Sequence, residues 1–98
     1  MRFRITPHRG ARASPPPDDA MALLWQRLGP NRDDMSFYKV GNEIRVEWGD
    51  DPPPSMGQDE RAERAERGRG EILDLVMEVC QRAPDVNSDW FAVSAQVM

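Results

Sequence analysis

Cysteine, lysine and histidine each occur only once in these 98 residues, as Cys80, Lys39 and His8. A single cysteine excludes an intramolecular disulfide and any multi-cysteine metal site. Cys80 falls within an apolar run, the setting of a buried structural thiol and not of a nucleophile. His8 has no companion: the sequence carries no nucleophile elbow, glycine-rich phosphate loop or second metal ligand, so it reads as a solvated loop residue. No cofactor is expected. Long apolar runs are missing too, since a membrane span needs about 18 such residues. Residues 1–10 also lack the hydrophobic region of a signal peptide, which makes the cytoplasm the expected compartment.

The chain has the length of one domain, residues 1–98, with room for one packed pair of layers and not for a deep cleft. Its net charge of -4 and pI near 4.9 argue against the nonspecific attraction to phosphate that drives nucleic-acid binding. Arg2, Arg4, Arg9 and Arg12 form a basic arm on this acidic body, and beside Pro7 and Gly10 it reads as a solvated segment. Arginine outnumbers lysine twelve to one, a codon-level sign of a GC-rich bacterial or phage genome.

The most informative stretch is Phe37–Trp48, FYKVGNEIRVEW. Aromatic and β-branched runs flank Gly41-Asn42, a dipeptide suited to a two-residue type II′ turn, and predict a β-hairpin. With that turn, Lys39 faces Ile44, Phe37 faces Val46 and Met35 faces Trp48. Met35, Phe37, Ile44, Val46 and Trp48 then share the core face, while Ser36, Tyr38, Arg45 and Glu47 share the other. A three-residue turn would reverse one strand's faces and bury Tyr38.

Ahead of the hairpin, Met1–Thr6 alternates as a strand that Pro7 ends, and residues 7–17 read as a loop. Residues 18–28 are predicted helical. Asp18 and Asp19 suit the helix entrance, Met21, Leu24, Trp25 and Leu28 form an apolar stripe, and Gly29-Pro30 is a stop. Asn31–Asp34 is a polar turn.

After the hairpin, Gly49–Met56 is a linker and residues 58–82 a second helix in two parts. Gln58–Arg69 is polar, with Glu60/Arg64 and Glu63/Arg67 in the favourable order, and reads as a solvated face. Gly68 and Gly70 together weaken helix propensity by about 2 kcal/mol, so fraying or a bend is expected there. The packed part carries Ile72, Val76, Val79, Cys80 and Ala83, with Leu73 beside them, before Pro84. Asp85–Asp89 is a turn, and Trp90–Val97 a last strand with Phe91 and Val93 inward and Trp90, Ala92, Ser94 and Gln96 outward.

The resulting order β-α-β-β-α-β, with the motifs PPPDD and DDPPP repeated ahead of each half's end, resembles the split-βαβ, ferredoxin-like sandwich. That α+β plan implies a four-stranded antiparallel sheet ordered 4-1-3-2 with two helices on one face. It hosts ligand-binding domains, dimeric monooxygenases, acylphosphatases, immunity proteins and RNA-binding modules, and therefore implies no one function.

Its uncovered sheet face is the candidate site. Arg4, Tyr38, Arg45, Trp90, Ala92 and Ser94 are expected to bind a protein partner there, because Trp, Tyr and Arg dominate binding hot spots. Edge strands two and four carry little protection, which favours self-association. RNA recognition needs outward aromatics on strands one and three; Arg2, Arg4, Glu43, Arg45 and Glu47 stand there instead. Asp85–Asp89 opens like a calcium loop, but Trp90 and Gln96 replace the required Gly and Glu. The pairs Asp33/Asp34 and Asp50/Asp51 read as solvated turn carboxylates.

The expected function is a small, acidic, non-enzymatic interaction module, either a homodimer or an inhibitor or immunity-type binder of a larger or more basic protein. The alternative is a dimeric α+β-barrel enzyme or small-ligand binder whose pocket, between sheet and helices, uses His8, Trp25 or Tyr38.

Overall fold

A computed structural model of the chain describes residues 1–8, 16–28, 31–32, 35–49 and 52–95. The expected Gly29-Pro30 stop, the Asp33/Asp34 and Asp50/Asp51 pairs, Arg9, Gly10, Arg12, Gln96 and Val97 lie outside those residues. The elements run β1 (Arg2–Pro7), α1 (Pro17–Leu28), β2 (Asn31–Arg32), β3 (Met35–Val40), β4 (Glu43–Trp48), α2 (Gln58–Arg82), a 3-10 turn (Ser88–Trp90) and β5 (Phe91–Ala95). The chain is α+β: two helices pack on one antiparallel sheet ordered β2-β3-β4-β1-β5. Against the four strands expected, β2 is a fifth, formed where a polar turn was read. It pairs Asn31 with Ser36 and Arg32 with Met35 at the sheet's outer edge.

The hairpin has the two-residue turn. Tyr38 pairs with Arg45, Phe37 with Val46 and Met35 with Trp48. Gly41 takes φ +60°, a conformation that β-branched residues resist and glycine adopts freely. Phe37, Ile44, Val46 and Trp48 are therefore buried, and Tyr38 and Arg45 exposed.

β1 runs one residue further than the alternation suggested, through Pro7. Its pairs with β5 show why proline is tolerated. His8 N–H donates to the Trp90 carbonyl at 2.7 Å while the Trp90 N–H turns back to the Asn87 carbonyl at 3.1 Å, so one ladder bond marks this as a hydrogen-bonding position. Pairs alternate along an antiparallel ladder, which makes Pro7 and Phe91 a non-bonded pair in which no N–H is missed.

The core lies between sheet and helices. Phe3, Ile5, Met21, Leu24, Ile44 and Ile72 are fully inaccessible, joined by Leu28, Val46, Val76 and Val93. The apolar stripe expected on the second helix is all buried, from Ile72 through Ala83. The helix does not fray or break at its glycines: α2 is continuous over Gln58–Arg82. Gly68 is buried where the helix crosses Phe3 and Trp48, and a Cβ built there would come within 2.6 Å of Phe3 Cζ. The glycine lets the helix approach, and tertiary contact supplies the stability that propensity withholds.

The polar half of α2 is likewise more than a solvated face. The Arg64 guanidinium lies 5.7 Å from the centre of the Trp48 ring, and the Trp48 indole N–H donates to Glu71. Arg61 donates to the carbonyls of Met56 and Pro53, tying the linker to the helix. At the far end, Arg27 of α1 grips Asp85 at 2.9 Å across an exposed gap.

Candidate functional site

Register builds the face opposite the helices. Tyr38 pairs with Arg45, Arg45 with Arg4, and Arg4 with Ser94, so these four side chains form one row across β3, β4, β1 and β5. Ala92 stands one row away, opposite Thr6. Sequence alternation placed all five on this face, and the structure brings them together there.

Trp90 is the exception. The last strand begins at Phe91, and Trp90 closes the 3-10 turn ahead of it. The Asn87 side chain accepts from Asp89 N–H at 2.9 Å, and Phe91 N–H returns to the Ser88 carbonyl, which winds Ser88–Trp90 out of the strand. The Trp90 ring is half-buried, packs against the core cluster and meets Phe91 edge-on at 6.4 Å.

Charge on the face is arranged in pairs. Arg2 lies 3.7 Å from Glu47, while Glu43 sits between Arg4 at 3.7 Å and Arg45 at 3.9 Å. Those spacings exceed hydrogen-bond length, and Oε2 of Glu43 is buried with no hydrogen bond, so the two arginines hold it by charge alone. The exposed Arg2–Glu47 pair contributes about 0–1 kcal/mol, which leaves its side chains able to exchange partners. Tyr38 and Val40 are the exposed large apolar groups of the face, at 50% and 43%. They border a shallow depression of about 370 Å³ completed by Arg2, Arg45 and Glu47.

His8 follows directly on β1, beside the start of β5. Its side chain lines a surface depression of about 620 Å³ with Leu73, Met77, Asn87, Ser88, Asp89 and Phe91; neither Trp25 nor Tyr38 reaches it. Between sheet and helices, the side chains of Phe3, Met21, Leu24 and Ile72 occupy the layer. In the Asp85–Asp89 turn, Asn87 spends its oxygen on the Asp89 amide, and no group of three potential ligands for a metal occurs among the described residues.

Cys80 is buried, and burial pushes its thiol pKa up. A thiol held protonated in the fold contributes stability below its unfolded pKa and loses it as pH rises through the folded value. Iodoacetamide at pH 8 is therefore expected to label Cys80 at least tenfold faster in denaturant than in the native chain. Equal rates would mean the thiol is not enclosed.

One residue that sequence reasoning overlooked lies against the sheet's end. Arg69 Nε donates to the Val93 carbonyl at 2.9 Å, covering part of the β5 edge that was expected to be unprotected. Nothing distinguished Arg69 from the arginines around it in an Arg/Glu-rich run. No helix among the described residues is long and apolar enough to cross a membrane. Compared with known proteins, the chain matches no family model, no curated protein and no solved structure.

Proposed function

We propose that the chain is a small, acidic, non-enzymatic protein–protein interaction module, one domain on the ferredoxin-like split-βαβ plan, that seats a protein partner on its free sheet face. The neighbour order β5-β1-β4-β3, with both helices against one side, supports the plan; β2 is an addition to it. One observation carries the function: the continuous row Tyr38, Arg45, Arg4 and Ser94, with Val40 and the depression beside Tyr38. A partner side chain filling that depression would bury the Tyr38 ring, and Arg45 and Arg4 would trade Glu43 for carboxylates or carbonyls of the partner. Ala92 lets a partner approach closely, and Trp90 contributes at most the rim.

Tyr38→Glu tests this directly. The tagged native chain is expected to retain a partner from its own host, identified by mass spectrometry, and Tyr38→Glu to lose it more than tenfold with an unchanged unfolding midpoint. Capture that survives both Tyr38→Glu and Arg45→Glu removes the face from the function. The second reading, a dimeric α+β-barrel enzyme or small-ligand binder, draws on the depression at His8.

A further inference from the structure

The free edge of β5 has a defined hydrogen-bonding pattern. Because the His8 N–H donates to the Trp90 carbonyl, alternation makes Thr6 with Ala92 and Arg4 with Ser94 the bonded pairs of the ladder, and Val93 and Ala95 turn their N–H and C=O groups away from β1. Two contacts agree: Phe91 N–H reaches outward to Ser88, and the Val93 carbonyl is met from outside by Arg69. Val93 N–H has no partner among the described residues.

The strand itself, FAVSA, lacks the usual protections of an edge, having no charge, no proline and no lysine. Its outward groups, on Phe91, Val93 and Ala95, are spaced symmetrically about Val93. Two copies laid antiparallel would therefore make two identical Val93 N–H···O=C bonds and set Phe91 opposite Ala95 at both ends. Ala95 of the second copy would lie beside the depression lined by Phe91, Leu73 and the 43%-exposed Met77, covering apolar surface.

We propose that β5 is a self-pairing edge for a second copy of this chain, gated by Arg69, which must leave the Val93 carbonyl before the strands can join. Arg69 opposes the pairing twice: it occupies the acceptor, and a two-fold axis at Val93 brings two like charges together. The axis stands perpendicular to the sheet, so a pair would form one continuous sheet with both Tyr38 rows on the same side. This inference does not depend on the partner-binding reading, and Tyr38→Glu leaves it untouched.

Mass measured by light scattering across a concentration series tests it. Arg69→Met keeps the apolar stem and removes the guanidinium. It is expected to dimerise at a concentration at least tenfold below that at which the wild type does. Adding Val93→Pro or Ala95→Pro removes an outward N–H without costing a bond to β1, and is expected to return the mass to that of a monomer. In Arg69→Met, the Val93 amide is expected to gain protection from hydrogen exchange as concentration rises. An Arg69→Met chain with wild-type mass throughout, a dimer that persists in a folded proline variant, or a Val93 amide indifferent to concentration would overturn the proposal.

Discussion

Trp48→Ala is expected to destabilise the chain by about 3–5 kcal/mol, a large share of the roughly 5–15 kcal/mol that folded chains hold. Trp48 is 9% exposed and joins three elements at once. Its ring meets Phe3 of β1 edge-on at 6.3 Å and 84°, its indole N–H donates to Glu71, and Arg64 lies over its face. Truncation leaves a cavity beside Phe3 and removes the acceptor's partner on α2. Trp48→Phe separates the contributions: the aromatic packing largely stays while the N–H is lost, and a cost of about 1–2 kcal/mol is expected. Urea denaturation followed by circular dichroism reads both. A Trp48→Ala chain within about 1 kcal/mol of the wild type would show that this junction contributes little to stability.

The two glycines of α2 are expected to respond in opposite directions to the same substitution. Gly70→Ala adds a methyl where nothing lies within 4 Å, and the gain in helix propensity should stabilise by about 0.5–1 kcal/mol. Gly68→Ala gains the same propensity but drives Cβ to 2.6 Å and 2.9 Å from Phe3 ring carbons and to 2.9 Å from Trp48 Cε3. Neither ring can withdraw, because each is already packed into the core, so overpacking of about 1–3 kcal/mol or more outweighs the gain. Denaturant midpoints at constant slope make the comparison. If Gly68→Ala stabilises as Gly70→Ala does, the helix does not pass this close to the sheet.

These glycines also show where sequence reading reaches its limit. Propensity treats Gly68 and Gly70 alike and puts a weak point in the helix at both. Only the crossing of α2 over Phe3 and Trp48 separates them, and that crossing joins residues 65 and 20 positions apart. Trp90 failed for a local reason: period-two alternation continued through it, while the Asn87 side chain had already wound the backbone into a turn. The Tyr38–Arg45 pair was legible because a two-residue turn fixes register, whereas alternation gave only the face of Arg4 and Ser94, and the strand pairing of β1 aligned them into the row. Arg69 was not, since its partner is a backbone carbonyl on another element and leaves no mark on side-chain pattern.

By itself, then, the order of residues determined the two helices and four of the five strands, the hairpin register, and which side of those strands is apolar. Those properties rest on short-range periodicity and turn chemistry. The tertiary structure alone decided where α2 presses on the sheet, which arginine covers which edge, and that Trp90 leans on the core. Such matters depend on which groups meet between elements far apart in the chain, where packing overrides local preference.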